Sequence, residues 1–163
     1  MKKIIVIGCP GSGKSTFSLA LHQKTQIPLF HLDMLFWKSD KSTIEKSVFR
    51  SKLLEILNGD EWIIDGNYAS TMEERMNACD TVFFLDYPTD VCLEGIKLRR
   101  GKPRPDMPFI ESDEDEEFTR FVSTFNECER PKIMKLLSIF ENKEIIIFNS
   151  RSEADEFLRK TQF

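Results

Sequence analysis

Glycine is sparse in this chain, seven in 163 residues, and histidine is limited to His22 and His31. The four cysteines, Cys9, Cys79, Cys92 and Cys128, stand far apart without a CxxC pair. With so few partners, that set argues against a zinc site and for reduced thiols. Positive charge is not in excess: 23 Lys and Arg face 27 Asp and Glu, a formal net charge of −4. No global field holds a polyanion, so neither direct nucleic-acid binding nor a polybasic membrane role is expected. Long apolar runs are absent too. Ile4 to Ile7 follows two lysines like the start of an export signal, but Gly8, Pro10 and Gly11 end it short of the roughly 7 to 15 residues required. Nothing approaches the about 18 residues of a membrane span. A cytoplasmic protein without a membrane partner is the expectation.

What is present suffices for one domain over residues 1–163, because 40% of the residues are apolar, fourteen of them Phe. No repeat, low-complexity tract or interdomain linker interrupts the chain. Lys3 to Ile7 reads as a strand buried on both faces. Further strands are expected at Ile27 to Leu32, Trp62 to Ile64, Thr81 to Leu85 and Glu144 to Phe148. Helical spacing follows Gly13 and recurs over 44–57, which ends at Asn58-Gly59, and over 89–100. Phe118, Phe121, Val122 and Phe125 share a spacing that reads as core, and Pro131 suits the first turn of another helix. Ser152 with Asp155 reads as a capping pair opening the last helix. Five strands alternating with helices predict α/β layers around a mainly parallel sheet.

Three of the few glycines lie within six positions. Gly8-Cys9-Pro10-Gly11-Ser12-Gly13-Lys14-Ser15 matches G-x-x-x-x-G-K-[ST], between a predicted strand and a predicted helix. In such a loop backbone amides turn inward toward phosphate oxygens at a helix start. Lys14 then serves the β and γ phosphates, Ser15 a Mg²⁺ ion, and Thr16 completes the nucleotide-binding stretch. Cys9 reads as a small residue at an unconstrained position rather than as a redox switch. The Asn-Lys-x-Asp signature of guanine specificity is missing, since Asn142-Lys143 continues as Glu144-Ile145. The size favours a small phosphotransferase over a switch or a motor.

Asp33, Asp65 and Asp86 each follow an apolar run, so all three are expected at the carboxyl edge of the sheet, where ligands bind. Asp65, before Gly66, is the choice to orient Mg²⁺; Asp33 could accept a proton from the phosphoryl acceptor. Arg99, Arg100, Lys102 and Arg104 sit on a Gly/Pro loop followed by six acids in the seven positions from Glu111 to Glu117. Guanidinium groups there suit a lid, about 99–117, that offsets charge on a transferring phosphoryl group and excludes water. A solvated loop pairing with those acids is the alternative, and acids latching the loop open would reconcile the two.

Taken together, the Gly8–Ser15 loop, His31-Leu32-Asp33 with Trp37, Trp62 to Tyr68, Asp80 to Pro88, and Arg99-Arg100 through Arg104-Pro105-Asp106-Met107 resemble the adenylate-kinase-like P-loop kinases. Within them, the nearest resemblance is to the FlaR-related group labelled DNA topology modulation proteins. It implies a three-layer P-loop fold of nucleoside/nucleotide kinase type, a five-stranded sheet in order 2-3-1-4-5, and a mobile lid. It also implies that Asp33, Trp37 and Asn67 face the acceptor and that Arg99, Arg100 and Arg104 are lid arginines. Lys38-Ser39-Asp40-Lys41 departs from the turn and second Trp expected after Trp37. Asn67-Tyr68 replaces the Phe-Pro-Arg of true adenylate kinases, which leaves Arg75 as the substitute acceptor cation. The expected function is ATP-dependent phosphoryl transfer to a small acceptor, a nucleoside or nucleotide, with Mg²⁺. A nucleotide-dependent regulator of DNA topology and an ATPase without acceptor are the rivals.

Overall fold

The computed structural model describes residues 1–161. Five parallel strands form one sheet in the order β2-β3-β1-β4-β5: β1 (Lys3–Gly8), β2 (Leu29–His31), β3 (Trp62–Asp65), β4 (Thr81–Leu85) and β5 (Glu144–Phe148). The expected order is the observed one. Ile5 lies in register with Ile64 on one side and Val82 on the other. Successive strand residues point to opposite faces, so the burial of every residue in β3 and β4 means that both faces are covered.

The covering helices are α1 (Lys14–Thr25), α2 (Leu32–Phe36), α3 (Lys46–Leu57), α4 (Ala69–Ala78), α5 (Thr89–Arg99), α6 (Glu116–Cys128), α7 (Arg130–Ile139) and α8 (Arg151–Lys160). Phenylalanine fills one part of the core. Phe17 of α1 meets Phe83 edge-on at 5.0 Å between ring centroids, Phe83 stacks on Phe148 at 5.9 Å, and Phe157 of α8 packs on Phe148 at 5.4 Å. In α6 the expected core stripe is only partly buried: Val122 and Phe125 are inside, whereas Phe121 is 41% exposed. No helix among the described residues is long and apolar enough to cross a membrane.

Several local expectations are corrected. Strand β2 covers only Leu29–His31, because Leu32 already begins α2. Asp33 therefore stands in the first turn of a short helix instead of following a strand directly. Ser152 and Asp155 do not cap α8. Ser150, extended at φ −150° and ψ 158°, accepts from Glu153 N at 3.3 Å, and the Glu153 carboxylate accepts from Asn149 N at 2.8 Å. The reciprocal pair forms where the chain leaves β5, two residues earlier than the pattern suggested. Between α5 and α6, residues 100–115 contain neither strand nor helix. Three prolines interrupt backbone donation there, and Asp115 opens α6 by accepting from Phe118 N at 2.9 Å.

The chain runs from β1 toward β2 on one side and from β3 across to β4 on the other. Adjacent β1 and β3 thus send their connections in opposite directions, opening a crevice beyond their carboxyl ends. Gly8 and Asp65, which end those two strands, frame it.

Candidate functional site

The Gly8–Ser15 loop fills one end of this crevice. Gly11, at φ 85°, lies so close to α5 that a Cβ on it would come within 2.1 Å of the Cys92 carbonyl oxygen. A Cβ on Gly95 would meet Gly11 O at 2.0 Å. Only two facing glycines permit this approach, which holds the loop against the helix. From the other side, the Asn67 amide clamps Gly8: its Oδ1 accepts from Gly8 N at 3.1 Å and its Nδ2 donates to Gly8 O at 2.8 Å. Lys14 Nζ donates to Gly8 O at 3.0 Å and to Cys9 O at 3.1 Å, completing the curl. Burial lowers the Lys14 pKa, with Asp65 and Asp33 acting against that shift. The buried Ser12 hydroxyl has no hydrogen-bond partner among the described residues, leaving a donor uncommitted in the loop.

The carboxylates line the opposite wall. Asp65 is 4% exposed and accepts from His31 Nδ1 at 2.9 Å on each oxygen. Burial alone would lower the His31 pKa, but the Asp65 hydrogen bond and charge, helped by Asp106 and Asp33, raise it overall. Asp33 Oδ1 accepts from the Tyr68 hydroxyl at 2.6 Å. Burial raises the Asp33 pKa, opposed by Tyr68 and Lys14. Tyr68 is held there by a left-handed backbone at φ 30°.

The 100–115 segment crosses the opening. Asp106 Oδ2 accepts from Ser15 Oγ at 2.6 Å, and Phe109 meets the Trp37 ring edge-on at 5.7 Å. Glu111 pairs with both Arg99 Nε at 3.2 Å and Arg104 Nη1 at 3.4 Å. Arg104 also reaches Asp106 at 3.5 Å, and Arg100 pairs with Glu114 at 3.4 Å. The acids thus engage the basic cluster, and the segment touches both the glycine loop and the α2 side.

These elements enclose a cavity of about 1080 Å³. Pro10, Gly11, Ser12, Gly13, Lys14, Ser15 and Thr16 line it, as do Asp33, Trp37, Asp65, Asn67, Arg99, Arg100 and Arg104. Gly8 and Cys9 are buried behind it. The Cys9 thiol donates to Val122 O at 3.9 Å, and the neighbouring Cys92 thiol together with burial raises its pKa and keeps it protonated. Arg75 is the clear correction. It does not line the cavity and is 0% exposed, its guanidinium donating to the carbonyls of Gly66 (2.8 Å), Asn67 and Tyr68 (3.1 Å). Burial pushes its pKa down to about 10. It braces the Gly66–Tyr68 turn from below rather than facing an acceptor. Asp86 is also outside the lining, gripped by Arg130 through contacts of 2.7 Å from Nε and 2.7 Å from Nη2.

Four contributors escaped the sequence reading. Gly95 carried a signal, a glycine inside a helical pattern, which often marks a close approach. Asp106 and Phe109 lay in a stretch read chiefly for its arginines. Arg151, whose Nη2 lies 3.5 Å from Gly11 O, offered none.

No protein-family model matches the chain, and a search of curated protein sequences found no match. Among solved structures, the 1.7 Å crystal structure of shikimate kinase from Bacteroides thetaiotaomicron is similar over 96% of this chain and 94% of that one, with a TM-score of 0.59 and 20% sequence identity. At that identity the likeness establishes the fold, a P-loop kinase-like α/β architecture.

Proposed function

We propose that this chain is an ATP-dependent phosphotransferase that moves the γ-phosphoryl group to a hydroxyl of a small acceptor, in the range of nucleosides and nucleotides. The observation that carries this reading is convergence: Pro10 to Thr16 of the glycine loop and its helix, Asp33 and the lid arginines line one cavity on a kinase-type fold. The chain works as a single domain over 1–163, with 99–117 as its lid.

The loop amides and Lys14 hold the donor phosphates in the manner the motif dictates. Lys14 exchanges its two carbonyl partners for phosphate oxygens, a stronger charge-assisted pairing. Asp33 takes the acceptor proton as the acceptor oxygen bonds to the γ-phosphorus, and the bond to the β-γ bridging oxygen breaks to release ADP. Arg99 and Arg104, sharing Glu111, can trade that carboxylate for the transferring group and offset its equatorial charge. Closure of 99–117 keeps water from the phosphoryl group.

Ser15 and Asp65 suit Mg²⁺. They offer hard oxygen donors, and a metal that retains most of its waters needs only one or two protein ligands. When bound, Mg²⁺ neutralises charge on the β and γ oxygens. The deciding experiment incubates the protein with ATP and a panel of nucleosides, nucleotides and sugars, and looks by mass spectrometry for an acceptor heavier by one phosphate. ATP hydrolysis that no panel member stimulates would overturn the transferase reading in favour of an ATPase.

A further inference from the structure

On the acceptor side of the cavity, the arginines that could meet an anion are already committed. Arg75 is sealed under the Gly66–Tyr68 turn on three backbone carbonyls. Arg99 and Arg104 share Glu111, Arg104 also faces Asp106, and when they leave those carboxylates it is for the transferring phosphoryl group rather than for the acceptor. Lys41 and Lys102, which line the cavity without an ion pair among the described residues, are solvent-exposed, and Lys41 lies over the Phe109 ring at 5.9 Å. The buried groups beside this space are carboxylates, Asp33 and Asp65, the second of them hydrogen-bonded to His31. Asp33 has one oxygen occupied by Tyr68, while its Oδ2 accepts no hydrogen bond among the described residues. The walls beside it are aromatic: Trp37 and Phe109 line the cavity, as does Tyr68, whose ring is packed against Phe36 and Phe49.

An acceptor with a phosphate or carboxylate would bring its charge among carboxylates without a free guanidinium, the situation a buried anion tolerates least. A hydroxyl can donate to Asp33 Oδ2, and a flat ring can lie against Trp37 and Phe109. We propose that the acceptor is an uncharged alcohol bearing a flat ring, a nucleoside rather than a nucleoside monophosphate or a carboxylic acid. This rests on the phosphotransferase reading and narrows its acceptor class.

Fluorescence of Trp37 provides the test, because the other tryptophan, Trp62, is fully buried and gives a constant background. With the donor site saturated by a non-hydrolysable ATP analogue and Mg²⁺, the protein is titrated with adenosine, cytidine and thymidine, with their 5′-monophosphates, and with shikimate. At least one nucleoside is expected to bind tenfold or more tightly than its own monophosphate and than shikimate. Asp33→Asn should narrow that gap by weakening the nucleoside and relieving the monophosphate. A monophosphate or shikimate binding more tightly than every nucleoside, or no nucleoside binding at all, overturns the proposal. Binding of the ATP analogue is measured first, by calorimetry without acceptor. Its failure strikes the phosphotransferase reading, whereas intact analogue binding with an anionic preference strikes only the acceptor class.

Discussion

Ser15 Oγ donates a 2.6 Å hydrogen bond to Oδ2 of Asp106, 91 positions further along the chain. The hydroxyl expected to serve a metal is thereby tied to the 100–115 segment. Asp106 is only 7% exposed, and Arg104 supports it from the side at 3.5 Å. Asp106→Ala should loosen the 100–115 segment by about 1 kcal/mol, the scale of one partly buried hydrogen bond. Amide hydrogen exchange in 101–115 of the ligand-free protein should then run about fivefold faster, with the sheet unaffected. Unchanged exchange would show that the Phe109 and Glu111 contacts hold the segment without Asp106.

Lys14 is half-buried, and its ammonium bonds only to carbonyls of its own loop. Lys14→Ala should leave the far-UV circular dichroism intact and reduce phosphoryl transfer by roughly a hundredfold or more, as loss of a preorganised charge-stabilising donor does. Retention of full activity would remove the glycine loop from the reaction.

Arg75 is a different kind of cation. Its guanidinium satisfies three backbone carbonyls in a place where no water replaces it. Arg75→Met leaves those oxygens short of donors and should destabilise the protein by about 3 kcal/mol or more in urea unfolding. Arg75→Lys cannot reproduce the planar fork and should recover only part of the loss. A change in acceptor affinity at unaltered stability would restore Arg75 as an acceptor ligand.

His31 and Asp65 give a pH signature. The folded His31 pKa is raised above its ordinary 6.5, so imidazolium is favoured in the native state. The pair's stabilisation is fully present below the unfolded value near 6.5 and is lost as pH rises through the folded value. The melting temperature of the natural protein should therefore exceed that of His31→Gln by more at pH 6 than at pH 9. Equal differences at the two pH values would show that the His31–Asp65 contact acts without net charge.

The elements readable from sequence were those with local causes. The Ile4–Ile7 run ended by Gly8, the Gly13-Lys14-Ser15 turn into α1 and the Pro131 start of α7 each depend on residues within a few positions. Misreadings arose where the deciding partner is distant. Asp86 looked like Asp65, but Arg130 claims it from 44 positions away. Arg75 looked like a substitute cation for the acceptor, yet α4 turns it inward beneath the Gly66–Tyr68 turn.

By itself, the sequence determined a five-stranded α/β chain with a phosphate-type loop, because strand burial, helix starts and glycine conformations are set by neighbours along the chain. Tertiary structure alone decided which aspartates face the cavity, that the Asn67 amide grips Gly8, and that Arg99 and Arg104 are held by Glu111. Those outcomes depend on hydrogen bonds and charges meeting across dozens of residues, and residue spacing carries no distance until the sheet order brings the strand ends together.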